Sequence, residues 1–265
     1  MEKQILRWPF PKEPYPGLWK LGSKIILPFV GACSKIWVCY FNRTKLYNVD
    51  VIREAVSNRP KGQSLITISN HSCCMDDPFL ACMLSWRQIF SPSLYRWTLA
   101  AHEICFSNDL HSKFFGLGRS IPVIRGNGVH QKGLSYSIEK LNQGEWVHIF
   151  PEGKIIWDSS WTKLRWGVGR MIYESNNTPL VVPIYHLGMD KVLPSSEPPF
   201  IPRVGKTVSV VIGEPIDVSE AKNKCHHEQM DPVEARIFLT SVIQEKFDLL
   251  KSDVLKYNDQ IGQST

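Results

Sequence analysis

The chain has 265 residues, 43% hydrophobic and 21% charged, which fits one large or two small folded domains and excludes disordered, collagen-like and coiled-coil classes. Its 31 basic and 25 acidic side chains leave a net charge of +6, and with 9 tryptophans this suits an anionic membrane surface better than nucleic acid. Seven cysteines (Cys33, Cys39, Cys73, Cys74, Cys82, Cys105 and Cys225) make an odd set with no C-x-x-C pair, so neither a disulfide framework nor a structural zinc site is expected.

Residues 1–17 read as Pro-rich and extended. They lack the apolar core of a secretory signal and the Arg/Ser-rich, acid-poor pattern of a transit peptide, so any import signal is expected to be internal. Residues 18–41 are the best candidate for a membrane span, but Lys20, Lys24 and Lys35 cut them. The longest uncharged piece, 25–34, has 10 residues and contains Pro28, against the roughly 20 apolar residues a span needs. A simple transmembrane helix is therefore disfavoured. The first fifty residues carry 8 basic and 3 acidic groups. Trp19, Lys20, Lys24, Ile25, Ile26, Leu27, Phe29 and Trp37 together predict a segment lying in the headgroup layer; a helix packed on the protein's own core is the alternative. The expected division is an N-terminal membrane-associating segment over 1–50 and an α/β domain over 51–265.

From residue 64 the pattern alternates. Strands are expected at 64–69, 95–100, 121–124, 146–150, 180–185 and 208–212, and helices at 109–115, 129–142, 164–175 and 232–250, the last capped by Asp231 with Pro232 in its first turn. Residues 190–206 read as a long Pro-containing loop. This order argues for a mixed, mostly parallel sheet flanked by helices, whose sites gather at strand ends.

Four motifs stand at such ends. Asn70-His71-Ser72-Cys73-Cys74-Met75-Asp76-Asp77-Pro78 follows the first strand, and Pro78 predicts Asp77 as the N-cap of a helix beginning at 78. On a continuous helix His71 and Asp76 would point about 140° apart. A turn can fold Asp76 back, so that its carboxylate fixes one ring nitrogen and leaves the other as a general base; a satisfied structural histidine is the alternative. Arg125 ends the next motif, with Gly126 and Gly128 beyond it, and suits a bidentate grip on phosphate or a plain solvated position. Phe150-Pro151-Glu152-Gly153-Lys154 predicts a rigid turn presenting Glu152 outward, towards a headgroup or hydroxyl or as an ordinary turn residue. Val182-Pro183-Ile184-Tyr185-His186 predicts an edge strand lining an apolar groove, or core packing. His102, His111, His130, His148 and His186 have no partner pattern and read as structural. No P-loop, dinucleotide glycine pattern, H-E-x-x-H or G-x-S-x-G elbow occurs.

In chain order, Asn-His-x4-Asp, Gly-x-x-Ile-Pro-Val-x-Arg, Phe-Pro-Glu-Gly and Val-Pro-Ile resemble the glycerolipid acyltransferase family. Longer strings narrow the resemblance to one branch of it: Trp8-Pro-Phe-Pro11, Arg96-Trp-Thr98, 146–154, 165–170 and 186–194. It covers nearly the whole chain from about residue 7. It departs at Ser72-Cys73, where Gln-Ser would be expected with the same His-to-Asp spacing, and weakens over 215–235. The resemblance implies a glycerolipid acyltransferase-like α/β fold and a phospholipid–lysophospholipid transacylase that needs neither coenzyme A nor any other cofactor or metal. It implies cardiolipin, monolysocardiolipin and phosphatidylcholine as substrates, and a monotopic protein on a mitochondrial membrane facing the intermembrane space. It assigns His71 and Asp76 to catalysis and Arg125, Glu152 and Gly153 to substrate binding; it names no oxyanion stabiliser, for which the amides at the helix start, 77–79, are a candidate. An acyl-CoA-dependent lysophospholipid acyltransferase would share these motifs. The third reading, a non-catalytic membrane scaffold, leaves the His71/Asp76/Arg125/Glu152 set without a purpose.

Overall fold

Every residue of Leu65-Ile-Thr-Ile-Ser69 is buried, as a strand covered on both faces requires. In the computed structural model, which describes residues 6–156, 162–194 and 201–262 (side chains through 256), this run is β2 of a seven-stranded sheet. The others are β1 (Arg43–Tyr47), β3 (Trp97–Ala101), β4 (Ser120–Val123), β5 (Trp146–Ile149), β6 (Leu180–Leu187) and β7 (Thr207–Ile212). The order is β1-β7-β6-β2-β5-β3-β4. All neighbours are parallel except β6 and β7, so the sheet is mixed and mostly parallel, as its alternating sequence predicts.

The main helices are α1 (Gly17–Tyr40), α2 (Val49–Ser57), α3 (Asp76–Phe79), α4 (Asp109–Leu117), α5 (Lys132–Asn142), α6 (Gly167–Glu174), α7 (Ser219–His227) and α8 (Pro232–Gly262). They cover both faces of the sheet, giving two apolar cores. One joins Ile66, Ile68, Val147 and Val181 to Leu134, Met171, Leu239 and Phe247. The other joins Leu65, Trp146, Val182 and Val210 to Val38, Ile52, Phe79 and Leu80. Gly169 permits the close crossing of α6 and α8: a Cβ there would lie 2.2 Å from the Arg236 carbonyl oxygen.

Several sequence expectations change. β1, α2 and α7 were not anticipated. α5 begins three residues later than the pattern predicts, because Gln131 is extended and its side chain holds Ile124: its Oε1 accepts the Ile124 N–H at 2.8 Å. The 190–206 segment opens with a helical turn, Met189–Val192, and its residues 195–200 lie outside the described ones. β6 is interior, not an edge, in spite of Pro183. The carbonyl of Pro183 accepts from Gly213 N–H just past the end of β7, so its missing N–H points where that ladder has already stopped. Between Ile184↔Ile212 and Val181↔Ile216 the β7 side has one extra residue, the bulge at which proline is tolerated.

The N-terminal fifty residues are tied into this body. Phe10 is buried, stacked on Tyr136 at 5.1 Å and edge-on to Trp97 at 5.4 Å. Helix α1 is seated from end to end. Ser23 Oγ donates to the Leu117 carbonyl at 2.7 Å, and Gly31 lies so close to Tyr95 that a Cβ would meet its hydroxyl oxygen at 2.2 Å. The inward residues are Leu27, Gly31, Ser34, Lys35 and Val38. Leu27, expected among the membrane-associating residues, therefore faces the protein, as helical spacing with Gly31 and Val38 dictates. Trp19 packs towards Phe10 and Tyr15, and Trp37 donates to the Arg203 carbonyl. Outward stand Lys20, Lys24 and a stripe of Leu18, Leu21, Ile25, Phe29, Ile36 and Tyr40; Ile25 is 59% and Phe29 64% exposed. By length and composition alone α1 is apolar enough to cross a membrane. The lysine count obscures this, because Lys35 turns inward and donates to the carbonyls of Cys82 and Leu84, both at 2.7 Å.

Candidate active site

The site lies at the carboxyl ends of β2 and β5, which are adjacent and parallel. His71 leaves β2, and Asp76 opens α3 five residues on. The Asp76 carboxylate is fully buried, and its Oδ2 accepts from Ser72 N–H at 2.6 Å, Cys73 N–H at 2.9 Å and His71 Nδ1 at 3.0 Å. The turn thus supplies the fold-back that a helix would forbid. A carboxylate partner requires the proton on Nδ1, so Nε2 carries the lone pair. Nε2 has no protein partner among the described residues, and the side chain is 14% exposed.

Three further contacts hold His71. Its ring stacks on Phe150, centroids 4.2 Å apart and planes 22° from parallel. Its N–H donates to Glu152 Oε2 at 2.9 Å, and its carbonyl accepts from Ile156 N–H at 2.8 Å. Glu152 is therefore turned inward and buried, contrary to the outward presentation its Pro–Gly turn predicts. Burial raises its pKa, while the His71 amide pulls it back down. Gly153 adopts φ +72, and a Cβ there would press on the stem of Arg165 at 3.1 Å.

Asp77 does not cap a helix. Its Oδ1 accepts from Arg96 Nε and Thr98 Oγ1, both at 2.7 Å, tying α3 to β3. Burial opposes ionisation there, but Arg96 and its other neighbours hold the carboxyl below its ordinary pKa. Nor are 77–79 a ready oxyanion hole: Pro78 has no N–H, and Phe79 spends its own on the Met75 carbonyl. Under the sheet edge, His148 is fully buried between Thr67 and Ser69. Thr67 Oγ1 receives Trp146 Nε1–H at 2.9 Å and shares a hydrogen bond of 2.8 Å with His148 Nδ1. Burial, then the Arg96 charge, push its pKa from 6.5 down to about 3.

Arg125 follows β4, three strands along the edge from β2, or about 14 Å of sheet. It is half-exposed and paired with Glu103 at 3.3 Å. The structure thus brings His71, Asp76 and Glu152 into contact, with Gly153 in the turn just after Glu152, and sets Arg125 apart. A polar cleft of about 660 Å³ between α2 and residues 85–94 contains none of them. Phe150 and Glu103 were missed as site residues. Phe150 belonged to a motif already singled out, whereas Glu103 gave no sequence signal. No group of three His, Cys, Asp or Glu side chains among the described residues is placed to hold a metal ion.

Comparison with known proteins places the chain in a family. The acyltransferase family model matches residues 50–187, just over half of the chain, and the chain belongs to that family. Within it, the chain is similar to tafazzin of Drosophila melanogaster, 40% identical over 250 residues, which are 94% of this chain and 66% of the other. Taffazin of Dictyostelium discoideum is 39% identical over 207 residues, 76% of this chain and 72% of its own. N-acylphosphatidylethanolamine synthase of Arabidopsis thaliana is 34% identical over 219 residues, 81% and 76% of the two chains. The chain spans just under two thirds of the Drosophila protein. The crystal structure of the 1-acyl-sn-glycerophosphate (LPA) acyltransferase PlsC from Thermotoga maritima shares the fold, with a TM-score of 0.56 at 20% identity, over 88% of this chain and 81% of that one.

Proposed function

We propose that this protein is a phospholipid–lysophospholipid transacylase that moves acyl chains between lipids without coenzyme A and so remodels cardiolipin on mitochondrial membranes, facing the intermembrane space. The observation that carries the reading is His71: Nδ1 is held by a buried carboxylate, and Nε2 has no partner among the described residues. The lysolipid hydroxyl gives its proton to Nε2 as its oxygen attacks the donor's ester carbonyl. The imidazolium is stabilised by Asp76 and by the face of Phe150. When the tetrahedral intermediate collapses, Nε2–H returns the proton to the departing glycerol alkoxide. An ester replaces an ester, no acyl-enzyme forms, and donor and acceptor exchange roles freely.

Arg125 takes the acceptor's phosphate, exchanging Glu103 for it, while its distance from His71 is bridged by the arginine side chain and the lipid's glycerol unit. Glu152 and Gly153 serve through the turn that holds His71. Residues 1–50 seat the catalytic domain, 51–265, on the bilayer. The apolar outer stripe of α1 favours this, and its end-to-end packing on the domain favours lying along the membrane over crossing it.

The test uses purified protein on cardiolipin-containing vesicles with radiolabelled phosphatidylcholine and monolysocardiolipin, with and without acyl-CoA. Label reaching the acceptor without coenzyme A is the expected result. Transfer only from acyl-CoA would replace it with the ordinary acyltransferase reading. The Arabidopsis relative makes an amine acceptor the second reading, and a phosphatidylethanolamine arm yielding N-acylated product would select it.

A further inference from the structure

Asp76 has a second histidine behind it. His186, on β6, is buried, with Nε2 2.9 Å from the Asn70 carbonyl and 3.6 Å from Asp76 Oδ2. A carbonyl only accepts, so Nε2 carries the proton and donates it to the Asn70 oxygen, with Asp76 Oδ2 beyond hydrogen-bond reach but close enough to feel the N–H dipole. Nδ1 is then a bare lone pair, buried without a hydrogen-bond partner among the described residues. An orphaned buried acceptor is a standing cost that calls for an explanation. Simple strand packing gives none, because the backbone here is secured independently. Asn70 Nδ2 donates to the His186 carbonyl, and His186 N–H donates to Asn70 Oδ1, both at 2.9 Å. Those bonds need no imidazole at 186.

We propose that His186 is a positioning residue for acyl transfer: its Nε2–H steadies the Asn70 carbonyl and Asp76 Oδ2, fixing the carboxylate on which His71 pivots. The inference rests on the general-base reading of His71. Burial keeps His186 neutral, so it adds a donor near Asp76 without adding a positive charge beside the imidazolium that forms on His71. Both histidines face the same oxygen, Asp76 Oδ2, and the positive end of a second N–H beside that oxygen offsets part of its charge and so lowers the basicity of the paired imidazole. The titratable groups around the pair are His71 and Asp76 on the β2–α3 turn, His148 on β5, Glu152 after it, Asp190 after β6 and Lys251 on α8.

The test compares His186→Phe, which fills the space without a donor, with His186→Gln, whose side-chain amide reaches the Nε2 position, and with His71→Ala. The expected result for His186→Phe is a kcat about tenfold lower with KM for the lysolipid unchanged. The acid limb of its kcat/KM profile should move to higher pH, because His71 holds its proton more tightly. His186→Gln should recover most of both. Full kcat and an unmoved acid limb in folded His186→Phe would overturn the inference, as would an equal loss in His186→Gln. Activity surviving in His71→Ala would instead overturn the general-base reading. Should His186→Phe fail to fold, ring-nitrogen NMR of the unaltered protein decides. His186 is expected as the Nε2–H tautomer, silent from pH 5 to 8, and the Nδ1–H tautomer or a titration in that range would overturn it.

Discussion

The turn after β2 and the outer face of α1 are opposites in construction. Around His71 and Asp76, ring nitrogen, backbone N–H and backbone carbonyl each meet a partner at 2.6–3.0 Å. Along the outer face of α1, Ile25 and Phe29 leave most of their surface uncovered, and it is the inward lysine, Lys35, that is held by two carbonyls. One region concentrates its free energy in a few atoms, and the other spreads it over a surface. Substitution should therefore act all-or-none in the first and by degrees in the second.

The largest expected effect tests the first half of that contrast. His71→Ala and Asp76→Ala should each lower transacylation by ~10³-fold or more, while vesicle binding measured by flotation stays intact; loss of both together would merge the two regions. Next, replacing Ile25 and Phe29 together by serine should weaken vesicle partitioning by about 2–4 kcal/mol, read by flotation, and leave turnover on detergent-dispersed lipid unchanged. A smaller effect is expected at the rim. Arg125→Ala should raise the apparent KM for a lysophospholipid about tenfold, and an unchanged KM would remove the arginine from the phosphate's path. Glu103→Gln, which frees Arg125, should lower that KM by a few-fold. The mildest is a pH effect. A histidine depressed from 6.5 to about 3 is neutral when folded but protonates when unfolded. Its stabilisation is complete above pH 6.5 and is lost as pH falls towards 3, by at most ~1.4 kcal/mol per pH unit. Melting scans at pH 7 and pH 5 should therefore differ less in His148→Asn than in the unaltered protein.

What the sequence made legible follows the same divide. Buried strands such as β2 and β5 announce themselves as short apolar runs, and motifs placed at their ends locate His71, Asp76 and Glu152 within one small region. Direction was not legible. Lys35 reads as a charge interrupting an apolar run, because composition does not say which way a lysine points. Glu152 faces inward because the His71 amide draws it there, a contact across 81 residues of chain. Pro183 reads as an edge residue until the neighbouring ladder is seen to have ended beside it. β1, with the sequence Arg-Thr-Lys-Leu-Tyr, has too few apolar positions to be read as a strand at all, and His186 is 116 residues from the asparagine it clasps. A two-residue spacing or a helical stripe can be read locally, but a partner on another strand cannot.

The pairing of β1 with β7 also sets a schedule for synthesis. Arg43 lies opposite Thr207, so β1 has no strand to join until more than 160 further residues have been made. At ribosomal speeds of 5–20 residues per second this is roughly 8–30 s. For most of that interval α1, with its apolar stripe, is outside the ribosome, while the sheet that anchors its far end is incomplete. The chain is thus presented to a lipid surface or to a chaperone before it can complete its own fold, and the last strand added to the sheet is the one that secures its first.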